Sequence, residues 1–129
     1  MSAERDLSKL LSALEVQRHD SVWTFSTGPN HPGEGSAMAF LEREGWTAVR
    51  KAAETTEPSN RWAWLELSVN SDLNAVGFLA RVATALADAG VPCNAVAAYH
   101  HDHIFVPEDK ADTAILALQD LRAAAASPK

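Results

Sequence analysis

Apolar residues recur along the chain with two different periods, and each period implies a kind of element. From Asp6 to Val16, Leu7, Leu10, Leu11 and Leu14 stand at helical spacing, which predicts an amphipathic helix with one buried stripe. The stretch SVWTFSTG (Ser21 to Gly28) is β-branched and aromatic and predicts a strand. It breaks at GPNHPGEG, residues 28–35, whose glycines and prolines favour a surface loop. Ser36 to Ala52, SAMAFLEREGWTAVRKA, reads as two short strands reversing near Glu44-Gly45, although AMAFLERE alone also suits a helix. The polar run ETTEPSN, Glu54 to Asn60, marks a boundary between two halves, 1–58 and 59–129.

The second half has sharper periodicity. In RWAWLELSV, Ala63, Leu65, Leu67 and Val69 alternate with Trp62, Trp64, Glu66 and Ser68, the pattern of a strand with one aliphatic face. Val76, Leu79, Ala83, Leu86 and Gly90 then recur at spacings of three and four, with Arg81, Thr84 and Asp88 opposite, a helix ending at a glycine. Pro92 stops it, CNAVAAY (Cys93 to Tyr99) reads as a strand, and HIFVP (His103 to Pro107) as its partner. Ala111, Ile115, Leu118 and Leu121 define a last helix, with Glu108, Asp109 and Asp112 near its positive end.

Strand, helix, strand, strand, helix is a ferredoxin-like unit short of its final strand. An open sheet edge there is a liability, so the first half is expected to supply the missing strand, for example from VWTFST. The expected fold is therefore α+β, a two-layer sandwich of two interlocked halves with an antiparallel sheet.

Composition narrows the function classes. At 129 residues and 13.9 kDa, 47% hydrophobic, the chain suffices for one compact domain or two small, intimately packed ones. A net charge of −6, a pI near 5.2 and scattered basic residues argue against nucleic acid as partner, since phosphate binding needs clustered Lys and Arg. The amino terminus lacks the apolar core of a signal peptide, and no apolar run approaches the ~18 residues of a membrane span, so no membrane association and a cytoplasmic location are expected. The single Cys93 forms no internal disulfide.

Three imidazoles and a carboxylate crowd into YHHDH, Tyr99 to His103, in a chain with five histidines. Between two antiparallel strands, His100, His101 and Asp102 form or flank the reversal, where polar residues are usual. His101 and His103 share a face and can hold a divalent metal, but a structural zinc takes four ligands, and His19 and His31 lie far away in sequence; neither metal nor cofactor is expected. Cys93 with His100 suggests a thiol and its base, yet a cysteine opening an apolar strand is more often a small buried hydrophobe. The Gly-x-Ser-x-Gly elbow, the Gly-x-x-x-x-Gly-Lys phosphate loop and HExxH are all missing, so no enzymatic activity is expected. Trp62 and Trp64 point away from the helices and require a cover, either the first half or a second copy of the chain; a homodimer is expected.

Two blocks, SDLNAVG (71–77) and CNAVAAYHHDHIFVP (93–107), resemble the carboxy-terminal half of small bacterial proteins built from tandem ACT modules. ACT modules also serve as the amino-acid-sensing parts of aspartate kinases and of eukaryotic arginine sensors. The first half is similar around AMAFLEREGWTAV (37–49), and GPNHPGEG departs from the short connection expected there. The resemblance implies a regulatory, non-enzymatic protein that binds a small ligand, an amino acid by preference, at an interface between modules. It implies a site in the loop after the first strand and the start of the next helix, here Asn70, Ser71, Asp72, Leu73, Asn74, Ala75, Val76 and Gly77. It also reads the aspartate and histidine of HDHIFVP as part of the fold pattern.

Physical chemistry supports that loop, because unpaired N–H groups and the positive end of a helix hold a carboxylate. Gly77 allows close approach, Asn94 can donate and accept toward a head group, and Asp72 or Glu66 can meet an ammonium. A purely structural reading stands beside each: Ser71 and Asp72 are ordinary N-cap residues, and Gly77 serves helix-to-sheet packing. The competing function is an interaction protein whose ACT-like fold mediates assembly, with no small-molecule effector.

Overall fold

The structure is a computed structural model describing residues 4–126. Its elements run α1 (Leu7–Ser12), β1 (Val16–Arg18), β2 (Trp23–Gly28), β3 (Ser36–Glu42), β4 (Gly45–Lys51), β5 (Trp62–Leu67), α2 (Phe78–Asp88), β6 (Asn94–Ala97), β7 (Asp102–Pro107) and α3 (Ala111–Ala126). All strands join one curled antiparallel sheet in the order β3-β4-β2-β5-β7-β6, with β1 also paired to β5.

The first helix is shorter than its leucine spacing suggests. Asp6 caps it by accepting from the Lys9 N–H (3.1 Å), and it ends at Ala13. The chain then turns, so Val16 enters the sheet opposite Leu67 instead of extending the helix. Leu10, Leu11 and Leu14 are nonetheless buried as the stripe requires. The reversal near Glu44-Gly45 joins β3 and β4, with Glu42 opposite Gly45. Gly45 has φ +137°, and a Cβ there would lie 2.7 Å from the Gly28 carbonyl oxygen, so only glycine fits.

β5 is the spine of the second half. Ala63, Leu65 and Leu67 point into the helix-side core with Val82 and Leu86 of α2, Ile104 and Val106 of β7 and Leu118 of α3. The helix α2 presents Phe78, Val82 and Leu86 inward. The stripe is thus phased from Phe78, and Val76, 84% exposed, precedes the helix rather than belonging to its buried face. A phenylalanine one position after glycine fills more of the core than the smaller residues of the alternative phase.

The position of the missing strand is filled from the first half, but chiefly by VQR. β1 pairs Val16, Gln17 and Arg18 with Leu67, Glu66 and Leu65, whereas β2 meets β5 only at Trp23 opposite Trp62. In effect β1 and β2 are one long strand interrupted at residues 19–22, where Ser21 adopts φ +79°. Past the interruption the strand leaves β5 and pairs along β4. The curl brings β2 and β4 over the face of β5 that bears the tryptophans. There Trp23, Val49 and Phe105 are buried with Phe25, Met38, Trp62 and Trp64 around them. The indoles are therefore covered, in part, by the first half itself. Asn60 seals the junction: its side chain accepts from the Phe25 N–H (3.1 Å) and donates to the Phe25 carbonyl (2.9 Å). Among the described residues, no helix is long and apolar enough to cross a membrane.

Candidate functional site

The loop that follows β5 is tied down at both ends. Glu4 lies parallel to it, donating to the Asn70 carbonyl (2.9 Å) and accepting from the Asp72 N–H (2.8 Å). Asp72 organises the next turn. Its Oδ1 accepts from the Asn74 N–H (2.7 Å), its carbonyl accepts from the Ala75 N–H (2.9 Å), and its Oδ2 lies 3.3 Å from Arg5 Nε. The Asn74 N–H, and after it the Arg5 guanidinium, hold its carboxyl below the usual range. Ser71 is buried and donates through Oγ to Asp102 Oδ2 (3.1 Å) at the start of β7. Burial pushes the Asp102 carboxyl up, against the Ser71 hydrogen bond and the nearby His103 and His101.

Half of the N–H groups of the loop 70–77 are consequently occupied, because Ser71, Asp72, Asn74 and Ala75 all donate within the protein. The N–H groups of Phe78, Leu79 and Ala80, one turn further on, also have no acceptor among the described residues, because α2 begins there with no side-chain cap. Gly77 holds φ +94° there, and a Cβ at this position would face the Leu7 side chain.

Two clefts that share Ser71, Asp72 and Leu73 flank this corner. One, about 300 Å³, is lined by Asn70 to Asn74 together with Tyr99 and His100. The other, about 190 Å³, reaches Phe78 and Leu79 at the head of α2, with Ala97 and Asp102 on its sheet side. Val76, by contrast, points to solvent and lines neither. Asn94 lies elsewhere, in a groove of about 720 Å³ between β6 and β3 that also includes Cys93, Phe25 and Met38. The reason is topological. Ala97, opposite Asp102, is the β6 residue beside the loop, and Asn94 lies three residues back, about 10 Å along the strand. Tyr99, His100 and Asp102 were not among the expected contacts, although the turn between β6 and β7 must abut the loop after β5 once β5 and β7 pair.

The histidines divide. His100 stays in the turn beside Tyr99, and Asp102 flanks the reversal as the buried first residue of β7. His103 lies on the opposite face of β7, where its Nδ1 accepts from the Trp64 indole N–H (3.0 Å). Glu66 is there too, bound to His19 at 3.0 Å and not in either cleft. The Cys93 thiol is pushed up by burial, which leaves it a poor nucleophile.

Two ACT-domain family models match the chain, one over residues 2–58 and the other over residues 59–120. A crystal structure of a Vibrio cholerae protein of unknown function, described as a possible transport protein, is 32% identical with a TM-score of 0.77 and covers 90% of this chain and 95% of its own. An Agrobacterium tumefaciens protein shares the fold at 12% identity, TM-score 0.63, over 84% of this chain and 89% of its own. No curated protein matches. The chain is thus a small tandem member of the ACT-domain family, with an α+β, ferredoxin-like fold of a kind that is regulatory rather than catalytic.

Proposed function

We propose that this is a non-enzymatic regulatory protein of two interlocked halves, 1–58 and 59–129, that binds a small molecule, an amino acid by preference, across the two clefts at the head of α2. The observation that carries the reading is the pairing, at one corner, of unmatched N–H groups at Phe78, Leu79 and Ala80 with the ionised carboxylate of Asp72. The first suits a ligand carboxylate and the second an ammonium, and cleft volumes of about 300 and 190 Å³ suit a molecule of that size.

Binding is the whole activity in this reading, with occupancy passed on through altered packing in a cytoplasmic homodimer. Leu73, Val76 and Tyr99, at 64%, 84% and 76% exposure, surround the corner and form an apolar rim that a second copy can close. Screening the twenty amino acids by thermal shift and calorimetry tests the proposal. A specific ligand raises the melting temperature, and Asp72→Ala weakens that response; silence from all twenty removes the amino-acid effector.

The exposed rim also suits the second reading, an assembly protein without an effector. That reading gains if a stoichiometric partner binds while no small molecule does.

A further inference from the structure

The face of the sheet opposite the helices brings together side chains that the linear sequence keeps apart. His19 sits in the interruption between β1 and β2, where its N–H donates to the Trp64 carbonyl (2.9 Å) and its ring stacks on the Trp64 indole at 3.6 Å. That anchoring aims Nε2 at Glu66 Oε1, 3.0 Å away. Glu66 and His103 are directly opposite in the β5–β7 ladder, and His101, two residues before His103, brings Nδ1 to 3.7 Å from the other Glu66 oxygen. Three imidazoles thus surround one carboxylate, and one ligand atom from each of His19, Glu66 and His103 lies within 4.8 Å of the others.

We propose that His19, Glu66 and His103, with His101 in reach, form a binding site for a divalent cation of the zinc or nickel class, separate from the clefts at the head of α2. Imidazole and carboxylate donors select that class over calcium or magnesium, which prefer all-oxygen shells. Ligand bonds of about 2.0–2.2 Å place donors roughly 3.4 Å apart around a tetrahedral zinc. The cluster therefore has to contract by an ångström or so, which rotation of partly buried side chains supplies. His19 and Glu66 keep 33% and 19% of their surface open, so a cation can enter and water can complete its shell.

Charge favours occupancy. Glu66 places a carboxylate among the imidazoles of His19, His101 and His103, a negative charge for the cation to meet. The His103 Nδ1 lone pair now receives the Trp64 indole N–H; a cation bound through that nitrogen displaces the indole. An occupied site fastens the end of β1 to β5 and β7, the seam between the halves.

Calorimetric titration of the chelator-treated full chain with zinc and with nickel is the test. One-to-one binding is expected, weakened more than about tenfold in His19→Ala and in Glu66→Gln and unchanged in His31→Ala. In the wild-type protein, zinc is expected to shift the imidazole proton resonances of His19 and His103 and to leave those of His31 in place, a readout independent of any variant's folding. Absence of saturable binding by either cation, binding undiminished in both cluster variants, or loss in His31→Ala overturns the proposal.

Discussion

Gly77 separates backbone strain from steric crowding in a way that can be measured. Its φ of +94° and ψ of −13° lie where an L side chain costs about 1–2 kcal/mol. A Cβ placed there meets only Leu7 Cδ2 at 3.4 Å and Cδ1 at 3.9 Å, an ordinary contact with the end of a flexible side chain. The whole cost of Gly77→Ala should therefore be strain, about 1–2 kcal/mol, read in urea unfolding or as a melting temperature lower by about 4–8 °C. Gly77→Asn, which tolerates this region better, should cost less. Combining Gly77→Ala with Leu7→Ala should give additive losses within about 0.5 kcal/mol. A neutral Gly77→Ala refutes the strain argument, and rescue by Leu7→Ala shows that crowding was the cause. Since Gly77 lines neither cleft, any ligand-induced stabilisation should survive in Gly77→Ala.

Two further substitutions test the surroundings. The raised Asp102 carboxyl binds its proton more tightly folded than unfolded, so that stabilisation is full below the unfolded value and is lost as pH rises through the folded one. Asp102→Asn keeps an acceptor for Ser71 and never ionises, so its melting temperature relative to wild type should rise between pH 4 and pH 7; a constant difference contradicts the burial argument. Leu65→Ala, at a fully buried position of β5, should cost about 2–5 kcal/mol by chemical denaturation, and a loss below 1 kcal/mol would mean that the core closes around the gap.

Local features were legible in the chain alone. Alternation marked β5 with its inward Ala63, Leu65 and Leu67, glycines and prolines marked the 28–35 loop, and the Glu44-Gly45 turn marked the β3–β4 hairpin, because turn chemistry and side-chain period act over a few residues. The loop 70–77 could be placed after β5 from its sequence, and in the fold Ser71, Asp72 and Leu73 line both clefts. Pairing over long separations was decided only in three dimensions. VQR rather than VWTFST became the main neighbour of β5 because the first helix ends early and the strand bends away after His19. The same pairing moved Asn94 away from the corner, brought Tyr99 and His100 to it, and carried His19 to Glu66 across 47 residues of sequence. Register between distant strands is set by the sum of buried contacts across the whole sheet, and no short window of residues contains that sum.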